Sequence, residues 1–296
     1  MNVLKKTSSI TTYGMRQLEM KKGIIYITIA SIFYAGVIVN TKAGLNTGLD
    51  SSSFTFLTMV FTLLVLLPYY FSTKKETVNK TDYKNFFILG LSAAGLAHFF
   101  LFVGQNYTSA VNAGFLVKIA TLFTVIFAFF LINERLRCID FIAIAISFLG
   151  VFLLSSEGQI TFRPGDLLII LSAVFLGFSN AFAKKLMIKH SSKTIIFWRT
   201  MFGIPILFVF AIILSNNPFS SIGSYVLLNG VFLGVTIIFL YKSIEIIGPS
   251  LSSTLFFISP IFSTIFAVIF LQETLSIAQL IGGAIILLGT YLIIRR

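Results

Sequence analysis

The sequence predicts an all-α integral membrane protein in which ten transmembrane helices form two inverted-topology repeats of five helices each. Three observations predict this class: the apolar composition, the spacing of the apolar stretches and a similarity between the two halves of the chain. Of the 296 residues, 57% are hydrophobic and only 11% are charged, whereas soluble domains contain about 25% charged residues. So little polar surface cannot cover a water-soluble globule of this size.

Ten apolar stretches are each long enough to form a helix that crosses a bilayer, which requires about 17–25 residues. Short polar connections such as Asn133-Glu134-Arg135 and Asn216-Asn217-Pro218 separate these stretches. Connections of this length leave no room for a soluble domain. The predicted spans are 23–44, 54–71, 85–105, 110–132, 138–155, 166–187, 194–214, 222–242, 249–271 and 276–294.

The basic residues predict how the chain is oriented in the membrane. The formal net charge is +12, from 22 Lys and Arg against 10 Asp and Glu. With the N-terminus inside the cell, the outer connections hold only Lys42 and Arg163, and nearly all other basic residues are cytoplasmic. Because basic residues concentrate in cytoplasmic connections, we expect a multi-pass protein of the inner membrane with both termini in the cytoplasm. The basic residues form no soluble patch that predicts nucleic-acid binding.

The composition also disfavours an enzyme. Cys138 is the single cysteine, there are two histidines, and no phosphate-binding glycine loop or paired catalytic groups occur. We therefore expect no cofactor and no metal, with the lipid bilayer and a small-molecule substrate as partners and a monomer or homodimer as the assembly. The predicted organisation is a cytoplasmic tail over 1–22, a first repeat over 23–155 and a second repeat over 166–296.

The two halves resemble each other at an offset of 139 residues. Asn133-Glu134 recurs as Gln272-Glu273, and Leu149-Gly150 recurs as Leu288-Gly289. Since five is an odd number of helices, the second repeat enters the membrane from the opposite face. Proteins with this symmetry bind substrate near the midplane between the repeats. The repeat therefore favours a transporter over a duplication that serves packing alone.

The repeated stretches resemble those of the drug/metabolite transporter superfamily, specifically the EamA-like ten-helix transporters, over residues 23–296. The resemblance rests on the stretch 116–136, which ends Phe-Leu-Ile-Asn-Glu-Arg-Leu, and on its counterpart, in which Pro260 precedes Gln272-Glu273. The first repeat departs from this pattern, because Thr121 occupies the position equivalent to Pro260. The resemblance implies efflux or exchange of amino acids and related metabolites.

Lys118 is the first candidate for substrate binding. At a rise of about 1.5 Å per residue it lies about 15 Å deep in the fourth span. A cation at that depth costs about 2.5–3.5 kcal/mol unless it faces a cavity or a partner. No carboxylate lies in the middle of any predicted span, so we expect a carboxylate or phosphate of the substrate to pair with Lys118. The alternative is a lysine solvated by backbone carbonyls and water.

Four further polar residues are predicted to line the substrate site. His98 lies at a similar depth in the third span, where it is also a candidate proton-sensitive gate, and Gln105 lies on the same helix face. Tyr34 in the first span and Asn180 in the sixth are predicted to bind substrate or to join helices by hydrogen bonds.

Two residue pairs lie nearer the predicted membrane surfaces. Trp198 and Arg199 begin the seventh span, where Arg199 resembles the family's arginine, and interfacial anchoring is the alternative role. Glu134 and Glu273 end the fourth and ninth spans at opposite faces, so a gating role is predicted for both, with a structural role at helix ends as the alternative.

The sequence thus predicts a secondary transporter that moves an amino acid or related carboxylate-bearing metabolite, as efflux, by alternating access. Its pathway is expected between the first, third, fourth, sixth, eighth and ninth helices. An importer or exchanger of a larger metabolite, such as a nucleotide derivative, is the alternative, and a channel is a further one. Proton coupling and facilitated exchange both stay open.

Overall fold

The computed structural model describes residues 2–72, 76–107, 116–156, 163–215, 217–271 and 276–295, and helix is the only regular secondary structure within these ranges. The helices are α1 (Asn2–Asn46), α2 (Ser51–Phe71), α3 (Lys80–Asn106), α4 (Val117–Ile132), α5 (Cys138–Ser156), α6 (Pro164–Leu186), α7 (Ser192–Leu214), α8 (Ser224–Ile247), α9 (Pro249–Phe270) and α10 (Ile277–Ile294).

The helices have the surfaces of a membrane protein. Among the described residues, eight helices are long and apolar enough to cross a bilayer, and α4 and α5 contain shorter apolar helices. Large apolar side chains such as Phe130, Ile213 and Phe270 are 72%, 69% and 69% exposed. Such side chains are stable against hydrocarbon and not against water. The predicted all-helical membrane fold is therefore confirmed, and each predicted span corresponds to one helix.

Local sequence explains where several helices begin and end. The carboxylate of Asp50 accepts a hydrogen bond from the backbone nitrogen of Ser53 at 2.7 Å, which caps the start of α2. Ser276 and Gln279 cap the start of α10 reciprocally, at 3.2 and 3.0 Å. Asn133 ends α4 in the left-handed region, with a φ of 53°. These caps fix helix ends that short connections join.

Three helices contain irregular turns, within α3 and α9 and at the start of the described part of α4. A π-helical segment, Gly90–Leu96, interrupts α3. A 3-10 turn occurs in α4 at Val117–Ile119 and in α9 at Phe256–Ile258, so these two turns lie at the repeat offset of 139 residues. Irregular turns inside helices often occur at functional sites. The two repeats therefore share a backbone irregularity in addition to a sequence pattern.

Helix packing follows a two-fold relation in which each helix corresponds to the one five places later. Helix α1 packs against α8 and α9, as α6 packs against α3 and α4, while the α2–α8 contact corresponds to the α7–α3 contact. The α2–α7 and α5–α10 contacts each pair a helix with its own counterpart. The two repeats are therefore interlocked, and a site between helices of both repeats lies at the centre of the fold.

Candidate functional site

A cavity of about 130 Å³ lies at the centre of the fold, between residues of α1, α3, α4, α6, α7, α8 and α9. The six helices expected from the sequence all contribute, and α7 joins them through Arg199. The described polar residues that line the cavity are Tyr34, Thr41, His98, Gln105, Lys118, Thr121, Ser179, Asn180, Arg199, Thr236 and Ser253.

Lys118 lies in the cavity wall with only 5% of its surface exposed. Its Nζ donates a hydrogen bond to Ser259 Oγ at 2.6 Å. The same nitrogen lies 4.6 Å from the ring centroid of Phe256 and 5.3 Å from that of Tyr34. Aromatic faces attract a cation, but they do not neutralise it. No carboxylate occurs among the described residues that line the cavity, so the charge of Lys118 remains available to an anion.

The 3-10 turns bring α4 and α9 together at this lysine. Thr121 Oγ1 donates a hydrogen bond to the backbone oxygen of Ser253 at 3.3 Å, which joins the start of regular α4 to α9. Ser259, the partner of Lys118, immediately follows the turn in α9. Lys118 of the first repeat therefore makes its described hydrogen bond to the second repeat.

His98 lies in the cavity wall just after the π-helical segment of α3. Its Nδ1 lies 2.7 Å from the backbone oxygen of Ala93, five residues earlier. A carbonyl oxygen can only accept a hydrogen bond, so Nδ1 carries the proton and Nε2 of the neutral ring is an acceptor. Gln105, in the last turn of α3, lines the same cavity. His98 therefore adds a hydrogen-bond acceptor to the cavity wall, and Gln105 adds an amide.

Arg199 supplies a second buried cation, with 5% of its surface exposed. Its Nη1 donates a hydrogen bond to Tyr241 Oη at 2.5 Å, and its guanidinium carbon lies 5.0 Å from the Tyr241 ring centroid. Its Nε is buried with no hydrogen-bond partner among the described residues. Arg199 thus belongs to the interior of the protein and not to an exposed interfacial position.

Trp198, the neighbour of Arg199, is absent from the described cavity lining. Its ring makes an edge contact with Tyr83 at 4.9 Å between centroids and stacks against Phe202 at 5.8 Å. Its Nε1 is buried and has no hydrogen-bond partner among the described residues. The structure therefore places Trp198 in an aromatic cluster between α3 and α7, apart from the other six residues expected at the site.

Asn180 and Tyr34 are the remaining predicted site residues in the cavity wall. The Nδ2 of Asn180 lies 3.4 Å from Thr124 Oγ1 and 3.5 Å from Ser253 Oγ, so this amide links α6 to α4 and α9 through long contacts. The ring of Tyr34 packs against Phe256 with centroids 5.1 Å apart. Both residues therefore line the cavity and also contact neighbouring helices.

Polar contacts join the helices at the face where α4 ends and α9 begins. Glu134 Oε2 accepts a hydrogen bond from Ser250 Oγ at 2.8 Å, which connects the end of α4 to the start of α9. Lys184 donates to the backbone oxygen of Glu245 at 2.5 Å, and Ser192 Oγ donates to the Glu245 carboxylate at 2.6 Å. The cavity extends to the opposite face, at Gln105 in the last turn of α3. Glu273, the symmetric counterpart of Glu134, lies outside the described residues.

A second polar cluster at this face joins the connection before α3 to the connection before α7. Both carboxylate oxygens of Glu76 lie 3.1 Å from the backbone nitrogen of Ser191, which donates to them. His190 lies 3.7 Å from Glu76 and 3.2 Å from Asp82. Partial burial raises the pKa of Glu76, but the hydrogen bonds from Ser191 outweigh it, so that pKa lies below its ordinary value. Glu76 is therefore a carboxylate at neutral pH.

Several residues of the site carry no signal in a single sequence. Phe256, Ser259 and Tyr241 contact the two cations but belong to apolar or hydroxyl-bearing stretches like many others in the chain. The repeat offset gives one usable signal, since it aligns Phe256–Ser259 with Val117–Ala120 around Lys118. Nothing comparable marks Tyr241 as the partner of Arg199.

Comparison with known proteins gives consistent matches along the chain. The model of the EamA-like transporter family matches twice, at residues 21–156 and 163–295. An uncharacterized transporter of Clostridium kluyveri is 24% identical over 92% of each chain. An uncharacterized transporter of Methanothermobacter thermautotrophicus is 28% identical over 73% of this chain and 66% of its own.

Two further matches concern a named activity and a fold. The S-adenosylmethionine uptake transporter of Rickettsia prowazekii is 25% identical over 84% of this chain and 85% of its own. A solved crystal structure shares 19% sequence identity with a TM-score of 0.76, covering 94% of this chain and 98% of the other. That structure establishes a common fold, and the relatives named here are transporters.

Proposed function

Because this chain belongs to the EamA-like transporter family, we propose that it is a secondary transporter of a small carboxylate-bearing metabolite, an amino acid or a related compound. We propose the direction to be efflux across the cell membrane, with both termini in the cytoplasm. The observation that carries this proposal is Lys118, a buried cation in a central cavity whose described lining contains no carboxylate.

The binding chemistry follows from the surroundings of Lys118. A substrate carboxylate in the cavity forms a charge-assisted hydrogen bond with Nζ, and such bonds are about twice as strong as neutral ones. Asn180 supplies an amide and His98 supplies Nε2 as an acceptor for a substrate ammonium group. The cavity volume of about 130 Å³ suits a small solute.

The mechanism we propose is alternating access through movement of the repeats around this cavity. In this mechanism the Glu134–Ser250 contact holds the face where α4 ends closed, and the contact has to break before that face opens. The Glu273 carboxylate, at the end of the ninth span, performs the equivalent role at the other face. Since Lys118 of α4 donates a hydrogen bond to Ser259 of α9, a substrate that binds Lys118 acts at a contact between the two repeats.

Import or exchange of a nucleotide derivative is the second candidate function. It is supported by the similarity to a relative named an S-adenosylmethionine uptake transporter, a compound that carries both an adenine and an amino-acid carboxylate. The rings of Tyr34, Phe102 and Phe256 line the cavity, and aromatic rings stack well on a nucleobase. This substrate is larger than the cavity, so its binding requires a wider conformation.

Counterflow in proteoliposomes tests both candidates. Vesicles are preloaded with one compound from a panel of amino acids, organic acids and adenine nucleosides, and uptake of the labelled compound is measured with and without a pH gradient. Each amino acid is compared with its methyl ester, which lacks the carboxylate. The proposal expects counterflow for the acid and none for the ester. Equal flux of both contradicts the role of the carboxylate, and flux without counterflow indicates a channel.

A further inference from the structure

A second pocket lies outside the central cavity, at the face where α3 begins and α6 ends. Its volume is about 210 Å³. One wall is formed by Lys185, in the last turn of α6, and by Ile188 and Lys189, just after that helix ends. The start of α3 forms the opposite wall. The pocket is lined chiefly by Asp82, Asn85, Phe86, Lys185, Lys189 and His190.

The charge of this pocket comes from two lysines one helical turn apart. Lys185 lies in the last turn of α6, and the turn continues through a hydrogen bond from the backbone nitrogen of Lys189 to the oxygen of Leu186 at 3.0 Å. Both side chains are exposed, and within the described part of the chain neither lysine has an ion pair or hydrogen bond from its side chain. Two neighbouring ammonium groups repel each other unless an anion lies between them.

The carboxylate in the pocket is engaged in its wall. Asp82 is only 6% exposed. Its Oδ2 accepts a hydrogen bond from the backbone nitrogen of Asn79 at 3.1 Å and lies 3.2 Å from His190 Nε2. The Asp82 charge is therefore directed at the start of α3 and at His190. The exposed part of the pocket presents Lys185, Lys189 and the Asn85 amide.

One exposed apolar side chain lines the pocket, and aromatic residues on the neighbouring face of α3 place it at the level of the membrane interface. Ile188, between the two lysines, is 80% exposed. On α3, Tyr83 and Phe87 are outside the described pocket lining, on the helix face that packs against α7, and they are 36% and 46% exposed. Tyr83 contacts Trp198 with centroids 4.9 Å apart. Tyr and Trp concentrate where hydrocarbon meets head groups, so the lysines lie at head-group depth beside side chains suited to acyl chains.

We propose that this pocket binds the phosphate of an anionic phospholipid, with Lys185 and Lys189 as its cationic ligands. Basic pockets between transmembrane helices bind the head groups of anionic lipids. The Asn85 amide adds a hydrogen-bond donor, and Ile188 packs against an acyl chain. A free phosphate ion uses the lysines alone and gains nothing from the exposed Ile188, which is why the geometry favours the lipid.

Thermal unfolding in detergent tests this proposal independently of transport. The full-length protein is heated with added phosphatidylglycerol, with added phosphatidylcholine or with inorganic phosphate at equal concentration. The test variant is Lys185→Gln with Lys189→Gln. The matched control is Lys80→Gln with Lys84→Gln, which removes two exposed lysines from the start of α3 that lie outside the described pocket lining.

We expect phosphatidylglycerol to raise the melting temperature of the wild type and of the control by several degrees more than phosphatidylcholine does. In the test variant, this difference between the two lipids should fall by at least half. An equal loss in the control overturns the proposal, because the effect is then general surface charge. An equal rise with inorganic phosphate also overturns it, because the ligand is then a soluble ion.

A second measurement covers the case in which the glutamine variant does not fold. Lys185→Arg with Lys189→Arg retains both charges, and native mass spectrometry counts the phosphatidylglycerol molecules that stay bound after delipidation. We expect this arginine variant to retain as many lipid molecules as the wild type. It should retain one more than the double glutamine variant. If the double glutamine variant does not fold, the Lys185→Gln single variant takes its place in the comparison. Equal lipid counts in all variants overturn the proposal.

Discussion

The 3-10 turns of α4 and α9 have the same backbone form at symmetric positions and opposite chemistry. In α4 the central residue is Lys118, which lines the cavity and bonds to Ser259. In α9 the central residue is Phe257, which is fully buried. Its ring makes an edge contact with Phe148 of α5 at 6.5 Å, within an apolar cluster.

The difference between the two turns shows that the backbone symmetry of the repeats and the chemistry of their side chains are separate properties of the fold. The repeated backbone supplies the symmetry that movement between two faces requires, and both repeats share it. The side chains at the turns differ between the repeats, because one turn offers a cation and the other offers an apolar ring, and in the proposed function only the cation binds substrate. Under that proposal a single cationic turn gives the substrate one orientation, whereas two equivalent cations would give it two.

The largest expected effect comes from making the two turns chemically alike. Phe257→Lys places an ammonium group in an apolar cluster without an anionic partner, at a cost of at least about 2.5–3.5 kcal/mol. We expect the variant to lose most of its folded yield, measured by size-exclusion chromatography in detergent. Phe257→Leu, which keeps the site apolar, should fold. A folded Phe257→Lys protein would show that the cluster around α5 and α10 is accessible to water.

The second largest effect is expected from a substitution that removes the cation from α4. Lys118→Gln deletes a charged hydrogen-bond donor whose contribution to binding is about 1.5–3 kcal/mol, so we expect apparent substrate affinity in proteoliposomes to fall about 10- to 100-fold. Lys118→Arg should retain part of it. Lys80→Gln, at the exposed start of α3, is the matched control and should leave affinity unchanged. Unaltered affinity in Lys118→Gln would remove the lysine from the mechanism.

A third, smaller effect concerns the end of α4. Glu134→Gln weakens the contact with Ser250 by about 1 kcal/mol, which should raise the population open at this face about five-fold. The measurement is the labelling rate of Ser253→Cys by an impermeant thiol reagent, in a Cys138→Ser background because Cys138 is exposed.

The symmetric variant provides the control for that experiment. Glu273→Gln lies at the end of the ninth span, which the sequence assigns to the opposite face, so it should not raise labelling from the face of Glu134. Equal labelling in both variants would mean that neither carboxylate closes one particular face.

The smallest effect is expected from a substitution that tests the backbone form that the two 3-10 turns share. Pro260 lies in the first turn after the 3-10 turn of α9, and Thr121 holds the equivalent position in α4. Thr121→Pro should therefore cost only about 1 kcal/mol of stability, from the lost hydrogen bond to the Ser253 backbone oxygen, although proline inside a helix usually costs about 3 kcal/mol. Thr124→Pro, one turn later, should show the full cost. Thermal unfolding in detergent compares the two variants, and equal losses would show that the turns differ in backbone form.

Sequence reasoning reached most of the fold because a bilayer imposes strong rules on the chain. Apolar length and the need to satisfy every backbone group predict the helices. Depth along a helix can also be counted, which led to Lys118 and His98. The partners of these residues were not predictable, because Ser259 and Phe256 meet Lys118 only through the crossing of α4 and α9. Trp198 illustrates the same limit, since it adjoins Arg199 in sequence but packs outside the cavity.

The paired helix contacts described for the fold have a consequence for the opposite-facing state. The α1–α8 and α6–α3 contacts exchange places under the two-fold relation, whereas α2–α7 and α5–α10 map onto themselves. If each repeat adopts the conformation of the other, the α1–α8 contact takes the geometry of the α6–α3 contact and the reverse. The α2–α7 and α5–α10 pairs, which lie on the two-fold axis (the on-axis pairs), keep their geometry. Coordinates for the second state can therefore be built by threading each half of the sequence onto the backbone of the other, with the on-axis pairs as the pivot.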